Sequence, residues 1–212
     1  MKFIIMAGGV YPAWETPRQL TQIRGEPLVG RTIRLLKEAG ADDIAISTHD
    51  ERFNGFGVPL LHHDNNFHGY EGGMGTWVEA FYPTEEPTCY LMGDVFFSSE
   101  AIRKIVRTET DSIAFFASAP PFDYRYIKQY AEPFGFKVAD QKAFRSAINT
   151  VKALEKSGAF LRRPIAWELW QVIQGTPLNL IMTDYTVIND YTCDIDRAED
   201  ADKLRRYADE CR

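Results

Sequence analysis

Lys2-Phe3-Ile4-Ile5-Met6-Ala7-Gly8-Gly9 is the stretch on which the reading of this chain turns. An apolar run over 2–7 halts at two glycines, the pattern of a buried strand that turns at its C-terminal end. The run is too short to span a membrane, and the early glycine break does not suit a secretory leader. The periodicity then switches. Leu28, Thr32, Leu35, Leu36 and Ala39 recur at three- and four-residue spacing, so 27–39 reads as a helix stopped by Gly40. Asp43-Ile44-Ala45-Ile46-Ser47-Thr48 reads as the next strand. Strand, helix, strand within fifty residues predicts a βαβ unit and a parallel sheet.

The same alternation continues. Val58 to His62 reads as a short strand that Pro59 keeps near an edge, and 77–81 as a helix ending before Pro83. Cys89-Tyr90-Leu91-Met92 is a buried strand ending at Gly93-Asp94, and Ser98 or Ser99 caps a helix to about 108. Ile113 to Ala117 is another strand. Residues 135–138 suit a strand and 140–157 and 164–173 helices; the chain closes with Tyr191 to Ile195 and a helix from about 197 to 209. The expectation is one α/β domain over 1–212, with a mostly parallel sheet covered on both faces. Within it, 120–190 is rich in aromatic residues and reads as an acceptor-binding elaboration.

Composition narrows the function. The chain has 212 residues, 24 Lys+Arg and 30 Asp+Glu, a formal charge of −6 and a pI near 5.3. An acidic chain without Lys/Arg runs is a poor match for nucleic acid, which needs several cationic phosphate contacts. No stretch is long and apolar enough for a membrane helix. Three widely spaced cysteines (Cys89, Cys193, Cys211) suit a reducing, cytoplasmic setting better than a disulfide framework. His62, His63, His68 and Asp64 invite a zinc reading, but adjacent histidines on a strand point to opposite faces.

The glycines after the first strand let backbone amides approach a phosphate or a base edge. Gly-x-Gly-x-x-Gly is absent, and Pro12 interrupts any helix that would open there, so a dinucleotide fold is not indicated. Ala7-Gly8-Gly9 is followed in order by Pro17-Arg18-Gln19-Leu20, Gly25-x-Pro27-Leu28, Tyr90-Leu91-Met92-Gly93-Asp94 and Asp194-Ile195-Asp196-Arg197-Ala198-Glu199-Asp200. Taken together, these segments resemble the nucleotidyltransferases, a family that includes sugar-1-phosphate nucleotidyltransferases, phosphocholine cytidylyltransferases and molybdenum-cofactor guanylyltransferases. The resemblance covers 2–118 and 190–209. It implies a Rossmann-like, three-layer αβα fold of the GT-A-like kind.

The resemblance also implies a reaction. The phosphate of a phosphorylated small-molecule acceptor attacks the α-phosphorus of a nucleoside triphosphate, CTP as first choice, and pyrophosphate leaves. Ala7, Gly8, Gly9 and Gly73 would contact the nucleotide. Arg18, where the family usually has Lys, would bind the triphosphate and act in catalysis with Asp94. Asp94 would hold Mg2+, with Asp194 or Asp196 as second ligand. A hard cation held by one or two carboxylates and completed by phosphates suits this chemistry. Asp196 also reads as the N-cap of the last helix, through its spacing to Glu199. Lys137, Arg162 and Arg163 are candidates for the acceptor phosphate. A homodimer is left open. Two rival readings stand beside this one. The first is a GT-A-type glycosyltransferase, with Asp194-Ile195-Asp196 as its Asp-x-Asp motif. The second is a non-catalytic nucleotide-binding regulatory protein, prompted by a glycine loop with no basic residue.

Overall fold

The structure is a computed structural model that describes residues 1–9, 14–63, 77–119, 131–178 and 184–207. In chain order the elements are β1 (Lys2–Met6), a 3-10 turn at Arg18–Leu20, β2 (Gln22–Ile23), β3 (Glu26–Pro27), α1 (Leu28–Glu38), β4 (Ile44–Ser47) and β5 (Leu60–Leu61). There follow a 3-10 turn at Trp77–Ala80, β6 (Thr88–Met92), β7 (Val95–Phe96), α2 (Ser99–Arg107), β8 (Ile113–Ala117) and β9 (Pro133–Val138). The chain continues with α3 (Gln141–Lys156), α4 (Ala166–Gln174), β10 (Thr186–Val187), β11 (Cys193–Asp194) and α5 (Ala198–Tyr207).

Seven of these strands form one sheet in the order β10-β8-β9-β6-β1-β4-β5. β6, β1, β4 and β5 run parallel to one another, and β10 runs parallel to β8. β9 is antiparallel to both its neighbours, β6 and β8. The two faces are separated by the period-2 alternation of β1. Phe3 and Ile5 of β1 point into the cluster with Val29, Ile33 and Leu36 of α1 and Ile102 and Ile105 of α2. Ile4, between them in sequence, joins the opposite cluster with Phe144 and Val151 of α3 and Leu169 and Trp170 of α4. Helices therefore cover both faces, and the architecture is three-layered α/β/α.

Local signals place the helices. Ser98 Oγ accepts the Ala101 amide at 2.8 Å and opens α2, and Asp140 Oδ1 accepts that of Ala143 at 2.9 Å and opens α3; each such cap contributes about 1 kcal/mol. Glu168 Oε2 accepts the Ile165 amide at 2.9 Å at the start of α4. Gly175, at φ 65°, ends α4 in the left-handed conformation that glycine adopts without strain.

The sheet also fixes where a ligand can bind. From β1 the chain moves to β4 and β5 on one side, then returns to β6 on the other side of β1. Where such an order reverses, the connections diverge above and below the sheet and leave a crevice at the strands' carboxyl ends. Gly8-Gly9 and Gly93-Asp94 are the two segments that leave β1 and β6 at that crevice.

Candidate active site

Gly93 explains how Asp94 is held there. Its amide donates to Met6 O at 3.0 Å, and a Cβ on it would lie 2.5 Å from that same oxygen. Only glycine lets the turn after β6 lie this close to β1. Asp94 in turn is joined to the far end of the chain. β7 pairs antiparallel with β11, Val95 facing Asp194, and the Ile195 amide donates to Asp94 O at 2.9 Å. This small ribbon sets Asp94, Asp194 and Asp196 on the wall of one cavity.

Arg18 ties the group into one unit. Its side chain is buried, with the residue only 4% exposed. Nη2 donates to Asp94 Oδ2 at 2.7 Å, and Nη1 donates to Asp196 Oδ1 at 2.8 Å and to Ile195 O at 3.0 Å. The 3-10 turn that carries Arg18 is closed by Leu20 N–H to Pro17 O (2.8 Å) and Thr21 N–H to Arg18 O (2.9 Å), so its backbone is anchored. The Asp196 carboxylate thus faces Arg18. At the start of α5, Asp200 Oδ2 accepts the amides of Asp196 (3.1 Å) and Arg197 (2.9 Å).

These residues line a cavity of about 540 Å³. Gly8, Gly9, Arg18, Asp94, Asp194, Asp196, Arg162 and Arg163 all border it. Trp77, Trp167, Met6 and Met92 add apolar wall, and Glu132 adds a further carboxylate. Ala7 borders a separate small cleft of about 50 Å³ on the other side of the glycines, with His49, Asp50 and Arg52. The Ala7 amide donates to Ser47 O at 2.9 Å, continuing the ladder between β1 and β4. Arg162 is anchored by an ion pair of 2.8 Å to Glu168, the residue that opens α4. Gly73 lies outside the described residues, as do His68 and Asp64 of the zinc reading; His63 is bonded through its ring to Glu79 O at 2.6 Å.

Lys137 is the correction. The sequence suggests it for the acceptor phosphate, and the structure puts it in the sheet, 5% exposed. Its Nζ donates to Ile105 O (3.0 Å), Val106 O (2.9 Å) and Thr108 O (2.6 Å). These are carbonyls that the end of α2 leaves without helical partners, and a cation suits that end of the helix. Burial draws the Lys137 ammonium below its ordinary value and pushes the neighbouring Cys89 thiol up to about 12. Lys137→Met is expected to lower stability by about 2 kcal/mol, the cost of carbonyls that lose a charged donor, with the acceptor KM unchanged. Urea melts and acceptor titrations measure both; a raised KM at unchanged stability would return Lys137 to the site.

Glu132 is the residue that the sequence reading missed. It is 1% exposed, and its Oε2 accepts the Asp194 amide at 3.1 Å. Ser118 fixes its backbone from both sides, at 2.9 Å to its carbonyl and 2.8 Å from its amide. A carboxylate before a proline in an aromatic segment gives no signal until β9 is known to enter the sheet beside β6.

The donor set fits a hard divalent cation. Among the described residues no three potential ligands stand close enough to form a complete site. Mg2+ does not require one, since one or two carboxylates with substrate phosphates and water complete its shell. Asp94 and Asp196 present oxygens to one guanidinium, and Asp194 lines the same cavity, so carboxylates are available in that number.

The chain matches the MobA-like NTP transferase domain family over residues 3–167, well over half of its length. Comparison with curated proteins finds no match. Among solved structures it is similar to the CTP:phosphocholine cytidylyltransferase of Streptococcus pneumoniae, at 18% identity and TM-score 0.52, covering 98% of each chain. It is likewise similar to the 2-C-methyl-D-erythritol 4-phosphate cytidylyltransferase of Thermus thermophilus, at 14% identity and TM-score 0.55, covering 99% of this chain and 98% of that one. A protein from Bacillus anthracis assigned as a glucose-1-phosphate thymidylyltransferase matches at 20% identity and TM-score 0.58, over 98% and 94% of the two chains. These likenesses agree with the fold described above. The chain belongs to the MobA-like NTP transferase domain family and is a nucleotidyltransferase.

Proposed function

We propose that the chain joins a nucleoside triphosphate to the phosphate of a small-molecule acceptor, with Mg2+, and releases pyrophosphate. The observation that carries this reading is the convergence of Gly8-Gly9, Arg18, Asp94, Asp194, Asp196, Arg162 and Arg163 on one cavity at the switch point of the sheet. CTP is the preferred nucleotide, because the motif spacing resembles the phosphocholine cytidylyltransferase branch and two of the similar structures are cytidylyltransferases.

The residues divide the work by their chemistry. Backbone groups of Gly8 and Gly9 meet the base and phosphates. Arg18 supplies N–H donors and charge to the triphosphate, where negative charge accumulates in the transition state. Asp94, with Asp194 or Asp196, holds Mg2+, which when bound neutralises phosphate charge. Arg162 and Arg163 take the acceptor phosphate, and Trp77 and Trp167 flank the remainder of the acceptor. An acceptor phosphate is already anionic and needs no base to activate it.

A pyrophosphate-release screen of the four common NTPs against phosphorylated alcohols, amines and sugars tests the reading. Release that requires both substrates and Mg2+ supports it. NTP binding without release under any pair would favour a regulatory nucleotide-binding protein, and sugar transfer from a nucleotide sugar would favour a glycosyltransferase. Arg163→Ala is expected to raise the acceptor KM by about 10- to 100-fold, the loss of one or two charge-assisted hydrogen bonds. The nucleotide KM should stay near that of the wild type in the same steady-state assay.

A further inference from the structure

We infer that Arg18 is a removable bridge: in the nucleotide-free protein its guanidinium occupies the carboxylate oxygens that a divalent cation needs, so metal binds weakly until a triphosphate draws Arg18 away. The inference rests on the transferase reading, since it assigns Arg18 and the metal to one substrate. It starts from a conflict within that reading. Arg18 is asked to hold a triphosphate, yet both hydrogens of its Nη1 are already given, to Asp196 Oδ1 and Ile195 O, and Nη2 is given to Asp94 Oδ2. Asp94 and Asp196 are asked to hold a dication, yet each offers one oxygen to Arg18 at 2.7–2.8 Å.

Charge makes the two states exclusive. A guanidinium and a dication on the same carboxylate oxygens would repel strongly at this depth, where Arg18 is screened from water. An exchange of partners removes the conflict. Triphosphate oxygens accept the Arg18 donors, and the released carboxylate oxygens turn to the metal that accompanies the triphosphate. Each charge then keeps an opposite partner throughout. The backbone of the 18–20 turn is hydrogen-bonded on both sides, so the exchange needs only the side chain to swing.

The bridge depends on arginine in particular. Its planar fork sets two donors side by side for two carboxylates, whereas an ammonium is a point charge on a flexible stem. At this position the resembling family usually has lysine, so the device would be a property of this chain.

Manganese binding to the nucleotide-free full chain, followed by electron paramagnetic resonance, tests it with wild type, Arg18→Lys and Arg18→Gln. Arg18→Lys is expected to bind Mn2+ at least about tenfold more tightly than wild type, because its charge remains but the two-point bridge is gone. Arg18→Gln should bind at least as tightly as Arg18→Lys. If Arg18→Lys matches or falls below wild type, the bridge is wrong, and tightening in Arg18→Gln alone would then report only a lost positive charge. Thermal melts confirm that the variants are folded. Should Arg18→Lys not fold, guanidinium NMR signals of the wild type decide. Signals that shift with Mg2+ and CTP together but not with millimolar Mg2+ alone support the bridge, and any other pattern overturns it. The manganese comparison requires neither nucleotide nor turnover. A failed pyrophosphate screen would remove the transferase reading without prejudging its result.

Discussion

Asp94→Asn is expected to lower turnover by at least about 10³-fold, on the scale of losing a preorganised group that meets developing charge, while the protein stays folded. Asparagine keeps the shape of the side chain and an oxygen that can still accept from Arg18. What it removes is the negative charge that recruits the cation. Asp94 is also the carboxylate placed most firmly, through the Gly93 contact with Met6 and the Ile195 bond to its own carbonyl. Asp194 cannot slide into its place without breaking the β7–β11 ribbon. Steady-state assays over a Mg2+ titration, with circular dichroism as the fold control, measure the effect. Turnover within about tenfold of wild type, at the same Mg2+ dependence, would show that Asp94 is only the end of a strand.

Gly135→Ala carries the largest expected effect on stability, about 3 kcal/mol or more. Gly135 sits in β9 opposite Leu91 of β6 and Phe116 of β8. A Cβ there would meet Tyr90 O at 2.3 Å and Leu91 Cα at 3.4 Å. Both are backbone atoms of a central strand, so no side chain can rotate to make room. β9 must move from β6 or lose register, and Phe134 and Phe136, buried on opposite faces, go with it. Gly158→Ala is the control. It has φ +73° but nothing within 4 Å of an added Cβ, so it should cost only about 1 kcal/mol. Urea denaturation of both variants measures the contrast. Equal midpoints would mean that the sheet yields at Gly135 far more readily than its packing suggests.

The parallel half of the fold is open to sequence reading. β1, α1, β4, β6, α2 and β8 each carry a strong period and sit between breakers, and the structure places them within a residue or two of expectation. Local chemistry is enough there, because each element buries one face against its sequence neighbours. β9 is visible as a strand over 135–138 but not as the antiparallel strand lodged between β6 and β8. That placement depends on partners 44 to 50 residues away in β6, which no window of sequence contains. Lys137 misleads for the same reason: a lysine on a strand looks exposed until α2 is seen to end above it. Gly93 and Asp94 are legible because a strand ending in Gly-Asp combines a close approach with a carboxylate. The link from Arg18 to Asp94 and Asp196 is not, since separations of 76 and 178 residues leave no local trace.

That long separation has a consequence for synthesis on the ribosome. Residues 2–117 contain β1, β4, β6 and β8 and could begin to collapse early, since βαβ contacts are comparatively local. Through that period Asp94 and Arg18 are already made, but Asp196 is not. The ribbon that presents β11 to β7 closes only after residue 194 has emerged. A nascent chain would therefore carry an unfinished cavity until Asp196 has emerged and β11 can pair with β7.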